Sequence, residues 1–214
     1  MIFSTARLLH CVLTMKMLPS HIWNNSPHKK GESQVFALLS AINLSNFCVA
    51  LHTQNIHGGK KQAWHELDFL VLTERAILGV EVKAARAVCV DGVWFFYNKD
   101  GSIVYKKYKS PLVQASDALE QFRAGWLRTR FGDRFRKIPF VKTAILCSNP
   151  RPDPVLRPMG PELLDELTIY EEDLTPNRLK EKLNSVIDYH ISKGHPGSAL
   201  TMCSADIDEL SFAI

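Results

Sequence analysis

The stretch HELDFLVLTERAILGVEVKAAR, residues 65–86, contains two apolar runs, LDFLVLT and AILGVEVKA, separated only by Glu74 and Arg75. Period-two alternation on both sides of a two-residue break predicts a tight antiparallel hairpin. Runs this apolar are buried, yet Glu66, Asp68, Glu81 and Lys83 fall within or beside them. A charge taken out of water is costly unless it is paired or bound to a metal. These four groups therefore pair with one another or hold something.

Strand geometry narrows the choice. Asp68 shares a face with Leu70 and Leu72, and Glu81 and Lys83, two residues apart, share a face of the second strand. With the turn at Glu74 and Arg75, residue numbers paired across the hairpin total 149, a condition that Asp68 and Glu81 meet. Two carboxylates set opposite each other repel, and a divalent cation between them reverses the sign. Hard oxygen donors suit Mg²⁺ or Mn²⁺, and a lysine beside them suits holding a water or countering phosphate charge. Glu66 points the same way as Asp68 but stands roughly 7 Å along the strand, which ranks it lower. An isolated E-x-K on an edge strand is by contrast an ordinary surface pair that contributes little.

The rest of the chain supplies a frame. Val35, Leu38, Leu39 and Ile42 recur at helical spacing in residues 31–44, with Glu32 in the first turn, where the helix dipole favours an acid. Residues 47–53, 140–150 and LTIY read as strands, and AVCVDGVWFFYNKDGSIVYKKY adds two or three more, with turns at Asp91-Gly92 and Asp100-Gly101. Ser110-Pro111 and Thr175-Pro176 open two further helices. This order predicts an α/β fold in layers. At 214 residues, with 46% apolar and 22% charged side chains, one core of this kind is affordable.

Charge is uneven although the net value is only +4. Residues 99–137 carry ten Lys or Arg against four acids, whereas residues 151–214 carry six against twelve. The middle suits a polyanion. Within it Lys106, Lys107, Lys109, Arg123, Arg128 and Arg130 are the candidate nucleic-acid contacts, interleaved with Phe122, Trp126, Phe131 and Phe135. An amphipathic helix with a solvated basic face explains the same pattern. Five scattered cysteines and no C-x-x-C argue against a disulfide framework or a zinc site, and fit a cytoplasmic protein. His52, His57 and His65 follow no zinc-helix spacing, and HGGKK at 57–61 lacks the phosphate-loop pattern. The apolar N-terminus has its basic residues inside and after the run, so it reads neither as a signal peptide nor as a membrane span. Met15 and Met17 stand before LPSHIW, and translation is expected to begin there.

An Asp on one strand followed by E-V-K on the next resembles the PD-(D/E)XK nuclease superfamily. The wider set resembles its nuclease-related domain, or NERD, family: Gly31-Glu32, E-x-D-F-L-V-L at 66–72, G-V-E-V-K at 79–83, DGVW at 91–94 and PLVQA at 111–115. Leu67 replaces the proline of the superfamily pattern. The resemblance spans residues 28–150, leaving 1–27 as an N-terminal extension and 151–214 as a C-terminal strand-helix extension. It implies a restriction-endonuclease-like three-layer fold with a four-stranded mixed central β-sheet flanked by helices. It also implies Mg²⁺ (or Mn²⁺) on Asp68, Glu81 and the Val82 carbonyl, catalysis by Lys83, and support from Glu32 and Gln114. The expected activity is endonucleolytic hydrolysis of DNA. The alternative is a catalytically weak nucleic-acid-binding module working with a helicase or other DNA-processing protein. The acidic residues 151–214 are expected to serve as a docking or dimerisation surface, the latter giving a homodimer, and no membrane partner is expected.

Overall fold

The computed structural model describes residues 14–20, 30–52, 67–153, 163–194 and 201–214. Glu66, His57, His65 and the HGGKK loop lie outside these residues.

The hairpin forms as its pattern requires. Strand β3 (Phe69–Thr73) pairs antiparallel with β4 (Ile77–Lys83), in the register Phe69 with Val80, Leu70 with Gly79, Val71 with Leu78 and Leu72 with Ile77. Thr73 closes the turn, its hydroxyl donating to the Ala76 carbonyl at 2.9 Å. Around this hairpin a mixed six-stranded sheet assembles in the order β1-β2-β3-β4-β8-β9. The added strands are β1 (Lys16–Leu18), β2 (Cys48–His52), β8 (Phe140–Leu146) and β9 (Thr168–Ile169). Six strands replace the expected four. Part of the difference is β1, a three-residue strand parallel to β2 and too short for its alternation to be read in the sequence.

Every residue of β3 and β4 is buried, so both faces of the hairpin need cover. On one face α1 (Lys30–Ser40) packs Val35 and Leu39 with Phe69, Val71 and Val80, joined by Leu179, Leu183, Val186 and Ile187 of a long C-terminal helix (Pro176–Lys193). On the other face α2 (Pro111–Gln121) packs Ala115, Ala118 and Leu119 with Leu70, Leu72 and Ile77. Ser110 caps α2 as expected, accepting from the Val113 N–H at 3.1 Å, whereas Thr175 makes no such side-chain cap. The helix continues through a π-helical turn (Phe122–Leu127) into α3 (Arg128–Phe131). In chain order the Pro176–Lys193 helix is α4, and α5 (Ser204–Ala213) follows, adding Ile207 and Leu210 to the α2 side. The result is the three-layer mixed α/β architecture expected.

A second sheet stands over one end of the first. Strands β5 (Arg86–Val90), β6 (Val93–Tyr97) and β7 (Ile103–Lys107) form an antiparallel meander. Asp91 and Gly92 both take positive φ at the β5–β6 turn, which is why the DG dipeptide sits there.

Gly31 has a packing cause. A Cβ there would lie 2.8 Å from the Ala84 Cβ and 3.1 Å from its Cα, so the start of α1 rests on the chain just beyond β4 only because the side chain is absent. Gly31→Val is expected to push α1 away, at a cost of roughly 1–3 kcal/mol, read as a lower denaturant midpoint at unchanged m.

Candidate active site

The end of the hairpin away from its turn brings the charged residues together. Past Val80 the ladder stops and the chain bends at Asp68, whose N–H donates to the Val80 carbonyl at 3.1 Å. Asp68 Oδ2 accepts the Val82 N–H at 2.6 Å. The expectation that Asp68 lies directly opposite Glu81 is therefore corrected by one step: the register holds for four pairs and ends at Phe69 and Val80. The carboxylate takes the place of a ladder acceptor, which pins the acid against β4.

Even-numbered residues of β4 direct their backbone groups toward β3, as the Val80 carbonyl and Val82 N–H do, while Lys83 accepts from Cys147 on the β8 side at 2.9 Å. Alternation therefore turns the Val82 carbonyl to the side of Asp68. Glu81 and Lys83 project to the α2 face, and the Lys83 ammonium donates to Glu81 Oε1 and, at 3.3 Å, to Gln114 Oε1. The Gln114 amide NH₂ donates to the Lys109 carbonyl at 3.0 Å, which turns its oxygen toward Lys83. Across the cleft Glu32 Oε2 lies 2.7 Å from His52 Nε2, and the His52 side chain is only 4% exposed. His52 pairs with Phe69, the residue after Asp68. Its role in holding Glu32 was hidden because twenty residues separate the two.

The electrostatics fit two acids forced together. Burial first, then the Glu81 carboxylate, push the Asp68 carboxyl well above its usual range, against the pull of Lys83. Burial also raises Glu81, opposed mainly by Lys83. For Lys83, burial works to lower the ammonium, but Glu81, Tyr105 and Asp68 outweigh it and the net direction is up. Burial lifts the Tyr105 phenol, a neighbour of all three that no sequence motif marks. Cys147 lines the same cleft, but burial pushes its thiol up to about 12, so it stays protonated and is no nucleophile.

Glu32, Asp68 and Lys83 open onto a cleft of about 1630 Å³, which Arg86, Tyr97 and Tyr105 line from the meander. Small-molecule sites run to about 1,000 Å³. Of the basic candidates, Lys106 and Lys107 lie on exposed β7, and Lys107 is close enough to act on Glu81. Lys109 is tied to Asp117 at 2.6 Å and Arg123 to Glu120 at 3.0 Å. Arg123 and Arg128 line a separate pocket of about 400 Å³, and Arg130 lies over the Trp126 ring. Arg134 is taken by Asp206 and Glu209 of α5, both at 2.6 Å. The central basic surplus is thus partly spent on the acidic C-terminal part.

A mixed sheet with Asp68 just before one strand and Glu-x-Lys on the next, flanked by helices, defines a chain of the PD-(D/E)XK-like nuclease superfamily. Within it, the family model for the nuclease-related domain matches residues 27–147, and the chain belongs to that family. No curated protein and no solved structure matches it. Among the described residues no helix is long and apolar enough to cross a membrane.

Proposed function

We propose that this nuclease-related domain is a Mg²⁺- or Mn²⁺-dependent nuclease that hydrolyses DNA phosphodiester bonds. The observation that carries the reading is the pairing of two carboxyls pushed up by burial, Asp68 and Glu81, with the Lys83 ammonium, where Asp68 and Lys83 line a large cleft. Such a pair is unfavourable by itself and becomes favourable with a hard cation. Among the described residues no three His, Cys, Asp or Glu side chains cluster as a metal cage. Two carboxylates and a backbone carbonyl fit instead a cation that keeps waters and shares a phosphate oxygen, as Mg²⁺ does. Asp68, Glu81 and the Val82 carbonyl would hold it.

A divalent cation there supplies Lewis-acid polarisation of the phosphate and a more acidic water. The remaining work falls to the chain. The Lys83 ammonium would face the phosphate, where negative charge grows as the water oxygen bonds to phosphorus and gives its proton to solvent, while the P–O bond to the departing sugar breaks and that oxygen takes a proton from solvent. Gln114 accepts a second hydrogen bond from Lys83, and His52 fixes the Glu32 carboxylate at the cleft edge. A DNA-processing partner such as a helicase, and a reducing cytoplasmic setting for the free thiols Cys48, Cys89, Cys147 and Cys203, accord with this reading.

Purified protein incubated with DNA in EDTA, Mg²⁺ or Mn²⁺ tests it. Cleavage is expected only with metal and only with Lys83 intact. Cleavage that persists in Lys83→Ala, or none under either metal, removes the assignment.

A further inference from the structure

The cleft has a second wall that the hydrolytic residues leave unused. It is β7, the outer strand of the meander, in which all five residues are exposed. An edge this open is normally covered or blunted.

The register shows which side chains of β7 look toward the site. Tyr105 pairs with Phe96 and Lys107 with Trp94, and both rings are buried. Paired residues share a face, so Tyr105 and Lys107 project to the side those rings occupy. Between Phe96 and Tyr97 the register slips and leaves Val104 as an extra residue, a bulge of the kind that re-aims side chains beside active sites. The Tyr105 ring stacks on Phe96 at 4.4 Å and 23°, while the Lys83 ammonium lies 5.7 Å from the Phe96 centroid. One face of Tyr105 is thus clamped, and the residue, still 36% exposed, lines the cleft.

We propose that this wall binds an unpaired nucleic-acid strand, with one base stacked on Tyr105 and the adjoining phosphate on Lys107. The location of the scissile phosphate rests on the nuclease reading; the binding does not. A ring held rigid against a buried aromatic accepts any base by stacking, but only a base released from a duplex stack. The cleft offers this occupant the cations Lys30, Lys83, Arg86 and Lys99 among an equal number of acids, of which Asp100 and Glu171 belong to the turn before β7 and the segment after β9.

The test uses the full chain in EDTA, so that no turnover intervenes. Fluorescence anisotropy with a labelled single strand and its duplex is expected to show the single strand bound at least tenfold more tightly, on the order of one stacked base. A 2-aminopurine in the strand is expected to be quenched on binding. Tyr105→Ala should weaken single-strand binding about tenfold while Tyr105→Phe stays near wild type, and Lys107→Gln should lower the salt slope by about one. Tyr105→Leu, which keeps an apolar contact with Phe96 but has no ring, replaces Tyr105→Ala if that variant does not fold. Equal or tighter duplex binding, no binding of either form, an unquenched probe, or ring-less variants at wild-type affinity overturns the inference. Strand-selective binding without metal-dependent cleavage leaves it standing and removes the nuclease reading; metal-dependent cleavage without strand preference does the reverse.

Discussion

Asp68→Asn is expected to lower metal-dependent DNA cleavage by on the order of 10²–10³-fold or more, and in the same preparation to raise the melting temperature measured in EDTA. The two effects have one cause. Asp68 is held beside Glu81 where burial and like charge oppose ionisation, so the folded chain binds its proton more tightly than the unfolded one does. A carboxyl raised in this way contributes stability that is fully present below the ordinary aspartate value of 3.8 and is lost as pH rises through its folded-state value. In EDTA the wild-type melting temperature should therefore fall as pH rises from about 4 toward neutrality, and the Asn variant should fall less. Asparagine keeps an oxygen for the Val82 N–H, so the bend at Asp68 survives. For a chain of this size each kcal/mol relieved appears as about 2–4 °C. Added Mg²⁺ should stabilise the wild type and leave Asp68→Asn unmoved, because binding to the folded state alone shifts unfolding by mass action. An Asn variant that cleaves normally, or that melts lower than wild type in EDTA at neutral pH, contradicts this account.

That the Asp68 carboxylate destabilises its own fold is visible only in part from the sequence. The two-residue turn and the alternation of β3 and β4 were enough to derive the register and to bring Asp68, Glu81 and Lys83 to one end of the hairpin. They could not show that the ladder would stop at Phe69, because the interaction that ends it, a side-chain oxygen on the Val82 N–H, is not a strand property. The dipole accounts for Glu32 as a first-turn acid of α1, but its partner His52 ends strand β2, twenty residues on. Gly31 beside it was legible as part of a motif, but its cause, the approach to Ala84, is a tertiary distance. Tyr105 was lost inside a run read for its lysines, and the bulge at Val104 breaks the alternation that would have put it on the Phe96 face. The opposite charge surpluses of the two halves were plain, and Arg134 with Asp206 and Glu209 joins them. Helix α5, which brings those acids, follows Cys203 and so carries no conventional capping residue to mark its start in the sequence.

Lys83→Met should cost about 3–5 kcal/mol at neutral pH and lower the melting temperature by roughly 10 °C, the largest stability loss expected of a single substitution at the site. The loss comes less from the ammonium than from what it leaves behind. Glu81 is 6% exposed and its closest cation is Lys83, so truncating the lysine strands a carboxylate in a medium that solvates it poorly. The stranded group can escape by taking up a proton, which makes the penalty grow with pH and shrink toward pH 4. Combining Lys83→Met with Glu81→Gln removes both charges at nearly constant volume, and the double variant should recover most of the lost stability, because replacing a buried pair is far cheaper than breaking it. Cleavage should not recover if, as proposed, Glu81 holds metal and Lys83 faces the phosphate. A thermodynamic cycle over wild type, the two single variants and the double variant, measured by denaturant unfolding in EDTA, isolates the pair. Coupling of less than about 0.5 kcal/mol would mean that Lys83 and Glu81 are held by the sheet rather than by each other, and the lysine would then be poised for substrate without a resident partner.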